Sequence, residues 1–221
     1  MPRHKRGFDA AAGRRALVKS DPAFRPWMRK LGLLDYSSGW GKPFDVADAL
    51  ARAILYQQLS GKAAATIVGR VEQAMSEPRF HHRTLAQLSD AQLRACGVSG
   101  NKTLALRDLA RRERAGEIPD ARSLQYLDNE AIIAALVPTR GIGRWTVEMM
   151  LMFRLGRPDV LPVDDLGVRQ GAMLLDGLSE MPTPKALAQR GEVWAPSRTL
   201  ASFYLWRIAD FRKESVKRSQ D

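Results

Sequence analysis

Apolar residues in this chain recur at intervals of three and four, and nowhere in a clear period of two. That spacing builds one-sided helices and leaves no half-buried strand to be built. Phe24, Trp27, Met28 and Leu31 follow it, as do Val46, Leu50, Ile54 and Leu55. Ile67, Val68, Val71 and Met75 continue it, and Leu200, Tyr204 and Ile208 repeat it near the end. No Asn-Gly or Asp-Gly turn separates alternating apolar runs, and no internal repeat is evident. The expectation is therefore an all-α fold. A chain of 221 residues, 45% of them hydrophobic, can bury a core in one large domain or two small ones.

Breakers and caps divide the helical pattern. Residues 1–20 are expected to be loosely ordered, and 35–43, rich in turn formers, to be a loop. A strong helix is expected over about 44–60, broken at Gly61. Ser89 and Gln92 form a capping box for a short helix ending near Cys96; a longer helix follows over about 102–115. Asp128 caps the next, which Pro138 ends. Thr139–Gly143 should be a tight turn and about 143–155 a helix stopping at Gly156. Pro158 and Pro162 require 157–163 to be extended. Asp164 or Asp165 then starts a helix reaching about Leu175. Thr183-Pro184 starts another, Trp194-Ala195-Pro196 breaks it, and Ser197 opens the last.

The formal net charge of +11 is uneven. Residues 1–30 carry nine Lys or Arg against two Asp, and 207–221 carry five against three. A basic arm of this kind is drawn to phosphate, although charge alone says nothing about chemistry. The single cysteine, Cys96, excludes an intramolecular disulfide and a cysteine-held iron–sulfur cluster. His4, His81 and His82 do not form a metal-spaced set with it, so no metal is expected. No apolar run approaches the roughly 20 residues of a membrane helix, and the N-terminus lacks the apolar stretch of a signal peptide. The expected location is cytoplasmic, at the nucleoid in a prokaryote, or nuclear in a eukaryote.

Two segments carry chemistry. The first, Leu136–Met150, reads LVPTRGIGRWTVEMM: helix, glycine turn, helix. Gly141 and Gly143 remove side chains from the turn, so the backbone can approach a ligand. N–H groups at a helix start lie outside the intrahelical ladder, with the dipole behind them, which suits a phosphate. Alone, Gly-x-Gly also fits a plain helix–helix turn. The second segment, Leu161–Gly171, reads LPVDDLGVRQG and ends an extended stretch in two carboxylates at a helix start. One Asp there is ordinarily a cap, but a cap needs only one.

Together these segments resemble the helix-hairpin-helix superfamily of base-excision DNA glycosylases, over roughly residues 44–210. A hairpin, about twenty residues, then Pro-x-Asp-Asp at a helix start is specific where either half is not. The branch it resembles is DNA-3-methyladenine glycosylase II, through AILYQQLS at Ala53–Ser60 and GVSGNK at Gly97–Lys102. The resemblance implies two helical lobes with a central cleft. One lobe would take 1–45 plus 158–221 and carry the catalytic Asp; the other, 46–157, would end in the hairpin. It further implies Asp165 as the catalytic acid and Asp164 as helper or cap. Gly141, Ile142 and Gly143 would grip the DNA backbone, with Arg140, Arg144, Thr146 and Lys102 as further backbone contacts. Gln57 and Gln58 would form the intercalating wedge, Gln58 being favoured.

In the strand-nicking members a lysine occupies the position of Trp145. The tryptophan implies a glycosylase without lyase activity, with Trp145 either lining the base pocket or filling a core. Pocket aromatics of the best-known bacterial enzyme fall on Met149 and Ser197, so Tyr36, Trp40 and Phe44 are candidate replacements. That enzyme's extra N-terminal β-rich domain has no room in this chain. The implied partner is duplex DNA with damaged bases, bound by a monomer. No cofactor is implied beyond a structural monovalent cation at the hairpin. The implied function is excision of alkylated purines, of the 3-methyladenine type and including ethenoadenine. The rival readings are a non-catalytic lesion- or structure-specific DNA-binding protein of the same fold, and a glycosylase for mismatched or oxidised bases.

Overall fold

The structure, a computed structural model, describes residues 3–218, with side chains through Glu214. Among the described residues there are twelve α-helices and no strand, as the periodicity requires. They fall into two compact units. Arg3 and His4 join Pro43–Val147 in the first; Lys5–Lys42 and the chain from Glu148 onward make the second. The second division thus falls at Val147/Glu148, not at the 157/158 of the expectation. The His4 amide donates to the Gln125 carbonyl at 2.8 Å and the Arg3 Nε to Gln125 Oε1 at 2.7 Å, which ties these residues to the first unit.

The first unit holds α3 (Val46–Tyr56), α4 (Gly61–Ala74), α5 (His82–Ala86), α6 (Asp90–Ala95), α7 (Gly100–Arg114) and α8 (Asn129–Leu136). Side chains of Asp45, Ser60, His81, Ser89, Ser99 and Asp128 each accept a backbone N–H at a helix start, so polar punctuation sets the boundaries. Helix α7 packs against α3 and α5, and Ala105, Leu106 and Leu109 of α7 are buried, as are Leu50, Ile54, Phe80 and Leu93 of the same unit. The helix expected over 44–60 is shorter, because Asp45 is its cap and the chain turns at Gln57.

The second unit holds α1 (Ala10–Ser20), α2 (Phe24–Leu31), α10 (Leu166–Asp176), α11 (Pro184–Arg190) and α12 (Arg198–Arg218). Helix α9 (Arg144–Phe153) begins in the first unit and ends in this one. The loosely ordered segment expected over 1–20 contains α1, capped by Asp9 Oδ1 on the amides of Ala11 and Ala12. Only Leu17 of this helix is buried, which is too little apolar signal to be read as a period. Helices α10 and α12 pack at very close range: a Cβ on Gly171 would lie 2.0 Å from the Leu205 carbonyl oxygen.

Candidate active site and hairpin

The residues before Asp165 are bolted to the start of α12. Thr199 Oγ1 donates to the Arg157 carbonyl at 2.6 Å and accepts from the Val160 amide at 3.0 Å. Arg198 grips Asp159 through Nε and Nη2, both at 2.7 Å. These bonds satisfy a proline-broken stretch that has no ladder of its own. It delivers Asp165 to the N-cap of α10, where Oδ1 accepts from the Val168 amide at 2.9 Å. The same oxygen accepts from Trp206 Nε1 at 2.7 Å. The Trp206 indole stacks on Phe153 at 5.8 Å and on Phe203 at 6.1 Å between ring centres. Gly167 makes room for it, since a Cβ there would lie 2.7 Å from Trp206 Cδ1 and 3.2 Å from Asp165 Oδ1. Asp165 is thus both cap and half-buried, oriented acid. Asp164 is exposed and does not cap the helix, so its expected capping role belongs to its neighbour.

Neither Trp206 nor Gly167 was expected at the site. The only signal in the sequence was a tryptophan on an apolar helix, which reads equally as core.

In the first unit, α8 and α9 are joined by a tight turn. The Thr139 amide donates to Leu136 O and the Ile142 amide to Thr139 O, both at 3.0 Å. The Arg140 amide donates to Asp108 Oδ2 at 2.9 Å. Burial pushes the Asp108 carboxyl up, but the Arg140 amide with Arg111 and Arg112 outweighs it and holds the group below its ordinary value. The two turn glycines differ. Gly141 has φ +79° and lies against Ala105, so the fold itself needs it. Gly143 does not have a positive φ, and a Cβ there would meet nothing within 4 Å. Ile142 is buried and holds the turn down, so only its backbone faces a ligand. Arg144 pairs with Glu130 at 2.5 Å, and this pairing keeps the Glu130 carboxyl below its ordinary range.

Gln57 and Gln58, the residues expected to form a wedge, sit just past the C-terminal end of α3. Gln57 Nε2 donates to the Gly141 carbonyl at 2.7 Å, which ties the turn to the hairpin. Gln58 has φ +55° and lies between the exposed side chains of Tyr56 and Leu59. Lys102 does not stand clear as a phosphate contact. Its Nζ donates to the carbonyls of Leu55 and Gln57 at 2.7 and 2.8 Å, and burial there lowers its pKa.

Trp145 is 46% exposed, which removes the core alternative for it, and Met149 lies one turn further along α9 on the same face. Thr146 is half-buried in the first turn of that helix. Trp40 is a packing residue: its Nε1 donates to the Met152 carbonyl at 2.8 Å, and its ring meets Phe8 at 4.7 Å and crowds Gly7. Phe44 lines a separate cavity of about 440 Å³ with Asp45, Ile118 and Asp120. It precedes α3, roughly 16 Å of helix away from Gln57 at 1.5 Å per residue. Ser197 sits at the start of α12, its Oγ beside Gly13 of α1.

Among the described residues no group of His, Cys, Asp and Glu could hold a metal. The hairpin does offer neutral oxygens: backbone carbonyls and the buried Thr139 hydroxyl, which has no hydrogen-bond partner.

A glycine hairpin between two helices, followed by a rigid segment that sets an acid at a helix start, defines the class of helix-hairpin-helix glycosylases. The family model of the HhH-GPD superfamily base excision DNA repair protein matches residues 51–197, and the chain belongs to that superfamily, in its DNA-3-methyladenine glycosylase branch. It is similar to DNA-3-methyladenine glycosylase 1 of Schizosaccharomyces pombe, 39% identical over 172 residues, which are 75% of each chain. A solved structure of the S. pombe 3-methyladenine DNA glycosylase with abasic DNA matches at TM-score 0.73 and 32% identity, covering 89% of this chain and 95% of that one. A DNA-3-methyladenine glycosidase structure from Bacillus halodurans matches at TM-score 0.82 and 34% identity, covering 91% of both. No helix among the described residues is long and apolar enough to cross a membrane.

Proposed function

We propose that this chain is a monofunctional DNA glycosylase that excises alkylated purines, of the 3-methyladenine type and including ethenoadenine, from duplex DNA in base excision repair. The observation that carries this reading is the Asp165 carboxylate, held through one oxygen by both the Val168 amide and the Trp206 indole. A helix cap alone requires only the first of these.

A base inside the stack cannot be reached and must be extruded, and a damaged base costs less to unstack. The hairpin backbone around Gly141 and Gly143 holds a phosphate. Gln58, at the tip of the turn after α3, fills the gap the base leaves. A purine methylated at N3 or N7 carries positive charge and leaves readily, with little need of an acid. As the bond to the sugar breaks, oxocarbenium character develops, and the fixed Asp165 carboxylate stabilises it electrostatically. The same carboxylate orients the water that completes hydrolysis. Trp145, exposed at the start of α9, stacks on the cationic base. It has no amine to form a Schiff base, so the abasic product stays unnicked.

The experiment compares wild type with Asp165→Asn on a duplex containing one ethenoadenine and on methylated genomic DNA. Wild type should release the base and leave abasic sites that stay intact until heated in alkali. Asp165→Asn should bind the same DNA and release nothing. Equal release by both would remove Asp165 from the chemistry. Silence from both with tight binding would favour a non-catalytic DNA-binding protein.

A further inference from the structure

The turn between α3 and α4 has an unusual backbone for its sequence. Gln57 adopts φ −54°, ψ 135°, Gln58 adopts φ +55°, and the Leu59 amide faces the Tyr56 carbonyl at 3.4 Å. These angles follow a type II turn, whose third position favours glycine or asparagine. Gln58 is the only non-glycine with positive φ among the described residues. A residue with a side chain holds that conformation only where its surroundings impose it. The unstrained alternative, a type I turn, differs by a flip of the central peptide and returns the third residue to negative φ. That peptide is Gln57–Gln58, and its carbonyl oxygen is the one Lys102 Nζ holds at 2.8 Å. The second hydrogen bond, to Leu55 O at 2.7 Å, anchors the same ammonium to the end of α3. A flip would take the Gln57 oxygen away from a partly buried cation.

We propose that Lys102 is a positioning residue for the intercalating turn: by binding the Leu55 and Gln57 carbonyls it locks the Gln57–Gln58 peptide in the strained orientation that points Gln58 outward. This rests on the reading of Gln58 as the wedge. The Gln57 side chain, already committed to the Gly141 carbonyl, fixes the other side of the turn and leaves Gln58 as the residue presented. Lys102 therefore acts on the DNA through Gln58 and not through a phosphate.

The test is a double-mutant cycle of Lys102→Met and Gln58→Gly in the full chain. Methionine keeps the apolar stem and removes the cation; glycine removes the wedge and the strain together. The first readout is the fluorescence of 2-aminopurine placed beside a tetrahydrofuran abasic analogue in a duplex, which reports insertion without catalysis. The second is single-turnover release of methylated purines, and the thermal midpoint controls for folding. Lys102→Met should lose about tenfold in both readouts, the lower end of what losing a charged hydrogen bond does, and Gln58→Gly should lose at least as much. The double variant should be no worse than Gln58→Gly alone, because Lys102 then has nothing to position. Effects that multiply, or a wild-type response from Lys102→Met beside an impaired Gln58→Gly, would overturn the proposal and leave the wedge reading intact. A wild-type response from Gln58→Gly would overturn the wedge reading itself. If Lys102→Met unfolds, Lys102→Leu, which also lacks a donor, replaces it, and an unimpaired fluorescence response from that variant refutes the positioning role.

Discussion

Replacing Trp206 by phenylalanine isolates one bond. A phenyl ring keeps the stack on Phe153 and Phe203 but has no N–H for Asp165 Oδ1, which now accepts at 2.7 Å. The Val168 amide bond remains, so the carboxylate stays at the cap but loses the indole contact that helps set its direction. A hydrogen bond to a charged group contributes about 1.5–3 kcal/mol. If all of it serves to hold the carboxylate where the oxocarbenium forms, excision slows by about 10- to 150-fold, at 1.4 kcal/mol per decade. Trp206 and Asp165 are half-buried, so the lower end, about tenfold, is the expectation. The assay is single-turnover release of 3-methyladenine from methylated DNA, with anisotropy on an abasic-analogue duplex measuring affinity separately. Affinity should hold while the rate falls. A wild-type rate from a folded Trp206→Phe would refute the argument that the indole orients the acid.

Three further outcomes follow from the packing. Gly143→Ala should leave stability within about 1 kcal/mol of wild type, since its Cβ meets nothing; DNA affinity should nonetheless fall, because the methyl occupies the approach of a phosphate, and thermal melts beside binding titrations check both. Gly171→Ala should destabilise by about 1–3 kcal/mol or more, as the new Cβ lies 2.0 Å from the Leu205 carbonyl oxygen and α10 must move off α12; urea unfolding measures it. Asp108→Ala should be less stable than wild type at neutral pH and lose that deficit in acid. The Asp108 pKa is depressed below 3.8 in the folded state, so its stabilisation is present above 3.8 and is lost as pH falls through the depressed value; urea midpoints from pH 7 to pH 2 check the convergence.

The parts of the site that were legible in the sequence are those whose signal is local. A glycine turn between helices and a proline-stiffened segment ending in an acid declare themselves within ten residues, because φ restrictions and cap preferences are properties of adjacent residues. What was not legible depends on partners far along the chain. Trp206 lies 41 residues after the acid it binds, and nothing in an apolar helix face says which ring carries a buried N–H partner. Lys102 has the charge for a phosphate, but the carbonyls left over at the end of α3 claim it first. Trp40 and Phe44 qualify as candidate pocket aromatics by residue type alone, whereas one closes a packing seam against Gly7 and Phe8 and the other lines a different cavity. Helix α1 escaped notice because its charged faces swamp a single buried leucine.

Asp165 at the start of α10 has a structural role, the helix cap, beside the catalytic one proposed for it. Capping explains Asp165 as far as its bond to Val168, and many helices begin that way. It does not explain why a tryptophan from α12 spends its only polar atom on the same oxygen, nor why residue 167 has no side chain to block it. Gly167 lies in the first turn of α10, where a Cβ would crowd both Trp206 Cδ1 and Asp165 Oδ1. The half-buried indole N–H needs an acceptor, and the Asp165 carboxylate supplies it. Together the three residues fix the direction of the Asp165 carboxylate, which is what a group proposed to face a developing cation would require.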